Sequence, residues 1–357
     1  MRTDEWYVVG LDNGGTNNNA TLLCSDGSFR VDRLVETPSR VQEGPEIAVD
    51  ALADALDNVL AVTATPRSAV RAVGLDTPGP ASAAGVIASK GSTNFSQPAW
   101  RGYDFRGALE ARLGLPVVYN NDGNAAALYA HHSLFGADAA NRSSISAIVG
   151  TGLGGGIIQS GRIVTGASGQ AGELGHVHIP MDGLLGEGQP IPGCNCGFVA
   201  DVESIASLTG ILNNLLPYWF GRYPDHELAA VDLPRAAKLV RGYGENGDEM
   251  ALKIFEQQAI AIGRLFTIAS NFSDPDAYFV GGGVVETAPH FRDWFLDTVR
   301  NNTRLRAEQV TLSTFALVPD LDMAGARGAA VAALETCTPT TTVDLLDDPR
   351  RAGAQPS

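Results

Sequence analysis

One arrangement occurs twice in this chain and limits its architecture. Residues 6–11 (WYVVGL) and 20–24 (ATLLC) are apolar and partly β-branched, and DNGGTNNN stands between them. SISAIVG at 144–150 and a further run at 155–159 likewise flank a glycine-rich bend. Each pair predicts two strands joined by a tight turn. Helical and strand-like segments then alternate in both halves, which predicts two α/β units facing one cleft.

Within the first half, 29–35 predicts a third strand. Ile47, Leu52, Leu56, Val59 and Leu60 recur at helical spacing after Gly44 and Pro45. Strands are expected at 69–75 and 116–120, with a short helix at 104–113. In the second half, helices are expected over 200–218, 233–241 and about 247–272. A strand at 277–280, a helix reaching about 301, a strand at 310–318 and an Ala-rich helix at 323–336 follow. His131 and His132 are expected on a helix surface. The two lobes are assigned as 1–121 and 122–322, with helix 323–336 packing back on the first. The tail, 338–357, is rich in Thr, Pro, Asp and Arg, which predicts disorder.

A chain of 357 residues has length for two domains. Its net charge of −15 opposes a nucleic-acid footprint, which needs a basic face. Backbone amides and a magnesium ion can still carry phosphates. The lysines are Lys90, Lys238 and Lys253, and none follows a glycine loop at P-loop spacing, so a Walker-type NTPase is not expected. No apolar run approaches the roughly 20 residues of a spanning helix, so no membrane association is expected. Asp4 and Glu5 interrupt the N-terminal stretch where a secretory signal would be apolar, and a cytoplasmic protein is expected.

The glycine bends have a chemical reading as well. Asp12-Asn13-Gly14-Gly15-Thr16 and Gly150-Thr151-Gly152-Leu153-Gly154-Gly155-Gly156 put backbone amides where no side chain blocks a phosphate. Asp12 suits magnesium, a hard cation. Thr16 and Thr151 carry hydroxyl donors. The third run, Gly281-Gly282-Gly283, follows an apolar strand and leaves room for a base and ribose. Asp122 opens a helix after strand 116–120. On residues alone it is either a helix cap or a proton acceptor for an incoming alcohol. Cys194 and Cys196, one residue apart, suggest a metal before a disulfide in a reducing compartment.

The DNGGT turn, DTPGP at 76–80, NNDGNAAAL at 120–128, GTGLGGG, AGELGH at 171–176 and CNCGFVADVE at 194–203 together resemble the ROK family of the actin-like ATPase-domain superfamily. The resemblance runs from residue 7 to about 335. It implies a two-lobed actin-like, ribonuclease H-like fold with duplicated βββαβαβα halves. It also implies ATP-dependent phosphorylation of a hexose, with glucose at its 6-hydroxyl as first choice. Mannose, fructose, allose and N-acetylmannosamine stay open, as does polyphosphate as donor. Under this resemblance Asp122 is the catalytic base. Asn94, Asn121, Asp122, Glu173, His176 and Glu203 bind the sugar. Asp12, Gly14, Gly15, Thr16, Thr151, Gly152, Gly154 and Gly281 to Gly283 face the nucleotide and its magnesium.

Family members often carry a structural zinc on the GH histidine and three cysteines. Here Asp201 stands where the third cysteine is expected. Either His176, Cys194, Cys196 and Asp201 bind zinc, or the loop is vestigial. Assembly as a homodimer or homotetramer is implied. The family's repressors place a DNA-binding domain before the first glycine turn, where this chain has only MRTDEW ahead of the strand. A silent sugar-binding protein is the other alternative, and retention of Asp12, Asp122 and three glycine runs argues against it.

Overall fold

The computed structural model describes residues 5–79, 82, 84–87 and 93–338. The expected disordered tail lies outside the described residues from 339 onward. The first sheet contains β1 (Tyr7–Asn13), β2 (Asn17–Cys24), β3 (Glu36–Pro38), β4 (Val70–Thr77) and β5 (Val117–Asn121), in the order β3-β2-β1-β4-β5. The second contains β6 (Ser144–Val149), β7 (Leu153–Gln159), β8 (Arg162–Ile163), β9 (Ala277–Gly282) and β10 (Thr314–Leu317), in the order β10-β9-β6-β7-β8. In each sheet the first two strands pair antiparallel, and the first pairs parallel with the fourth. The two halves therefore share one topology, as the repeated hairpin predicts.

Helices α1 (Pro45–Val62) and α2 (Phe105–Leu113) bury Leu52, Leu56, Val59, Phe105 and Leu109 with Val9, Leu11 and Val73 of the first sheet. Helix α3 (Asp122–Phe135) leads into the second half. There α4 (Leu208–Gly210), α5 (Leu216–Arg222), α6 (Leu233–Glu245), α7 (Glu249–Ser273), α8 (Pro289–Asn301) and α9 (Ala307–Leu312) precede α10 (Leu321–Cys337). The main apolar cluster of this half joins Ile254, Ile262, Leu265 and Phe266 of α7 to Ile145, Tyr278 and Val280 of the sheet.

Helix α10 returns to the first sheet, as the sequence predicts. Ala330 and Ala333 pack with Val8, Leu23 and Ala72. Contact is close because glycines on one layer face backbone carbonyls of the next. A Cβ at Gly74 would collide with the Ala329 carbonyl, and one at Gly328 with the Ala125 carbonyl of α3. Helices α3 and α10 thus fill the space between the sheets. That is why His131 is fully buried, contrary to expectation. Its ring nitrogens meet Ser144 Oγ at 2.8 Å and the Ala139 carbonyl at 2.9 Å. Burial pushes its pKa down to about 4, so the ring is neutral.

Three further expectations need correction. The strand expected over 29–35 is irregular, bridging β2 only at Leu23 and Phe29, and regular pairing resumes at Glu36. Residues 200–207 are not helical. Ser204 bonds back to Asp201 through its amide (2.9 Å) and hydroxyl (2.6 Å), and Ser207 caps α4, so helix begins at Leu208. The strand expected over 310–318 is confined to Thr314–Leu317; 310–312 close helix α9, because Gln309 Oε1 accepts from the Arg306 amide at 3.0 Å and holds its first turn.

Candidate active site

The first bend joins β1 to β2, with the Gly14 amide bonded to the Asn17 carbonyl at 3.0 Å. Thr16 is exposed at its tip. Asp12 ends β1 half-buried, and Asn19 donates to its Oδ2 at 3.2 Å. Burial raises the Asp12 pKa. Asn94 lies over this bend: a Cβ on Gly15 would sit 2.5 Å from its Oδ1. Asn94 thereby reaches the first glycine bend from the segment after β4.

Asp122 is the first residue of α3, and Asn121, not Asp122, caps that helix. Asn121 Oδ1 accepts from the Asn124 amide at 2.7 Å. This frees the Asp122 carboxylate, whose nearest bond is from the Gly123 amide at 2.7 Å. Gly123 itself abuts β7; a Cβ there would lie 2.7 Å from the Gly155 amide nitrogen. Asp122 keeps exposed surface in the cleft, yet the protein around it raises its pKa to about 6. Loss of solvation is the main cause. The charges of Asp12 and Glu173 add to it, and the Gly123 amide opposes it.

Glu173 and Asn121 meet across this point, the Asn121 amide donating to Glu173 Oε1 at 3.5 Å. Burial raises the Glu173 pKa, against the pull of His176. Both residues line a small cleft with Gly79, Tyr119, Asn124 and Gln170. Tyr119, Asn124 and Gln170 were not singled out by sequence. Only their closeness to NNDGN and AGELGH could have pointed to them.

The GELGH and cysteine motifs form one cluster. His176 Nδ1 lies 3.2 Å from Asp201 Oδ2 and 3.8 Å from Cys194 Sγ, and Cys196 Sγ lies 3.7 Å from Asp201 Oδ2. The four donor atoms lie within 4.8 Å of one another. Zinc bonds of about 2.0–2.3 Å give tetrahedral edges of about 3.3–3.8 Å, and the three separations of 3.2, 3.8 and 3.7 Å lie close to that range. Glu203 stands beside the cluster. It accepts from Cys194 Sγ at 3.4 Å with one oxygen and from the Leu153 amide at 2.9 Å with the other.

The second glycine run is divided. Gly150 to Gly152 form the bend, whereas Gly154, Gly155 and Gly156 lie in β7 opposite Ile148, Ala147 and Ser146. Thr151 is exposed, and its carbonyl accepts from the Thr209 amide and hydroxyl. Of the third run, Gly281 packs against Val318, and Gly282 (φ 89°) lies tight against the Val149 backbone. Gly283 alone of these three opens onto a cleft of about 320 Å³. Gly150, Thr151, Leu208, Ile211, Phe255, Gln258, Lys238 and Arg241 also line that cleft. Leu208 reaches it from α4, and Ile211 from the π-helical turn that follows, Ile211–Leu215, a deformation frequent at functional sites. Lys238 and Arg241 were missed. Their i,i+3 spacing on α6, in a lysine-poor acidic chain, was the available signal.

A model described as the ROK family matches residues 8–336. The glucokinase of Halalkalibacterium halodurans is 31% identical over 320 residues, 85% of this chain and 90% of that protein. The crystal structure of the ROK hexokinase from Thermus thermophilus superposes with a TM-score of 0.72 at 28% identity, over 93% of this chain and 99% of that one. A ROK family glucokinase from Streptomyces griseus, solved with glucose and AMPPNP, gives 0.65 at 27% identity, over 92% and 99%.

Proposed function

The chain belongs to the ROK family, and on that premise we propose that it is an ATP-dependent glucokinase, transferring the γ-phosphoryl group to the sugar's 6-hydroxyl. The observation that carries this reading is the position of Asp122. Its carboxylate accepts from the Gly123 amide, on the residue that abuts Gly155 of β7, and stands within the field of Asp12 and Glu173. Phosphoryl transfer asks the protein chiefly to place the hydroxyl in line and to accept its proton. Asp122 accepts that proton. Asn121, Glu173, His176 and Glu203 hold the ring, with Asn94 reaching in beside the first bend from the segment after β4.

The amides of the bends at 14–16 and 150–152 receive the phosphates. The cleft between Thr151 and Gly283 takes the adenosine, its apolar walls suiting the base and its Lys238 and Arg241 the phosphate charge. Asp12 supplies hard oxygen ligands and would hold magnesium, which neutralises phosphate charge when bound. His176, Cys194, Cys196 and Asp201 would hold a structural zinc, fixing the His176 ring beside the sugar. We assign residues 1–121 with α10 to one lobe and 122–322 to the other. Cytoplasmic location and assembly as a homodimer or homotetramer complete the reading; no described helix is long and apolar enough to cross a membrane.

A coupled assay over glucose, mannose, fructose, allose and N-acetylmannosamine, with ATP or polyphosphate as donor, tests it. Glucose with ATP should give the highest kcat/KM. Sugar-dependent melting shifts without turnover would establish a silent sugar-binding protein instead.

A further inference from the structure

Asp76 has no part in the reading above, yet it is a fully buried acid beside the cleft. It lies on β4 in register with Asp12 on the parallel neighbour β1, so the two side chains leave the sheet on one face about 5 Å apart at the backbone. Both meet α10 at one point. A Cβ built on Gly325 would sit 3.2 Å from Asp12 Oδ2 and 3.2 Å from Asp76 Oδ2. Asp76 is fully buried, and among the described residues no donor reaches either of its oxygens. Asn19 Oδ1, on the residue that donates to Asp12, is also buried without a partner. No Lys or Arg among the described residues forms an ion pair with Asp12, Asp76 or Asp122.

A buried carboxylate without a donor costs several kcal/mol unless something positive stands beside it. Two occupants meet that need: a proton shared between Asp12 and Asp76, or a divalent cation. A shared proton satisfies one oxygen of each acid and leaves the second Asp76 oxygen and Asn19 Oδ1 orphaned. A cation that prefers oxygen ligands takes several at once. We propose that Asp76 and Asp12 together form a divalent-cation site that fills before nucleotide binds. Asp76 then acts as a positioning residue: it anchors the cation that Asp12 presents to the phosphates. This inference rests on the kinase reading for its purpose, but not for its test.

The test uses the full chain without nucleotide, with one equivalent of Zn2+ present to occupy the thiol cluster. Mn2+ is titrated and the free ion followed by electron paramagnetic resonance, with Mg2+ as competitor. The wild type should bind one Mn2+ that Mg2+ displaces, and Asp76→Asn should bind it about 10- to 100-fold more weakly. Circular dichroism and the melting transition establish that the variant is folded, and Asp76→Ser carries the same comparison if the amide does not fold. Absence of Mn2+ binding by the wild type, or equal binding by a folded variant, would overturn the proposal in favour of a shared proton. ATP turnover with glucose is scored separately. An active enzyme without the Asp76-dependent site loses this inference alone, and an inactive one with the site loses the kinase reading alone.

Discussion

Glu203 Oε2 accepts a 2.9 Å hydrogen bond from the Leu153 amide, so the acid that closes the cysteine motif also anchors the second glycine bend. Its other oxygen meets Cys194. In the proposed reading, the sugar side and the phosphate side of the cleft therefore share one side chain. Gly152 permits this, since a Cβ there would sit 2.5 Å from Glu203 Oε2.

Glu203→Ala should consequently raise the KM for glucose and the KM for ATP together. It leaves the Leu153 amide without its acceptor, worth about 1–3 kcal/mol. Steady-state kinetics with each substrate varied in turn checks this. An effect confined to glucose would mean that the bend holds its shape unaided.

Lys238→Ala and Arg241→Ala should act on one substrate only. Both residues line the cleft beside Thr151 and Gly283, and Arg241 donates to the Gly283 carbonyl at 2.6 Å. Each is exposed, so the expected rise in KM for ATP is modest, about 3- to 10-fold. The KM for glucose should stay as it is.

The pH profile follows from Asp122. Its pKa stands at about 6, above the ordinary 3.8, so the folded chain keeps a proton that the unfolded chain has released between those values. Stability from this group is present below about pH 4 and is lost as pH rises through about 6. Activity runs the other way, because only the ionised form accepts a proton. The kcat/KM for glucose should rise through about pH 6 and then level. Asp122→Asn should remove that stability slope.

Zinc is checked by metal analysis. The purified chain should carry one equivalent, lost in Cys194→Ser and in Asp201→Ala. Chelation should lower the melting temperature and weaken glucose binding more than ATP binding, because the proposed reading makes His176 both a zinc ligand and a sugar contact. A full complement of zinc in Asp201→Ala would remove that carboxylate from the ligand set.

Much of this arrangement is legible in the sequence because its signals are local. Gly14-Gly15 and Gly150–Gly152 mark bends through backbone freedom, and Val, Leu and Ile beside them mark strands. Contacts between distant segments are not legible. His131 has the sequence neighbours of a surface residue, and its burial depends on meeting Ser144 of β6 and the Ala139 carbonyl. Gly74 reads as a strand glycine, and its reason is the Ala329 carbonyl more than 250 residues later. Asp76 belongs to a DTPGP turn by sequence, and its pairing with Asp12 exists only once β1 and β4 lie side by side. Residues 310–318 alternate like a strand, yet the first three close helix α9, whose first turn is held by the Arg306 amide donating to Gln309 Oε1.

The most direct measurement is turnover of Asp122→Asn with glucose and ATP, set beside glucose affinity from a binding titration. If Asp122 takes the hydroxyl proton, kcat should fall by about 10²- to 10⁴-fold while the glucose Kd stays close to the wild-type value. An Asn variant that turns over at near the wild-type rate would contradict the account.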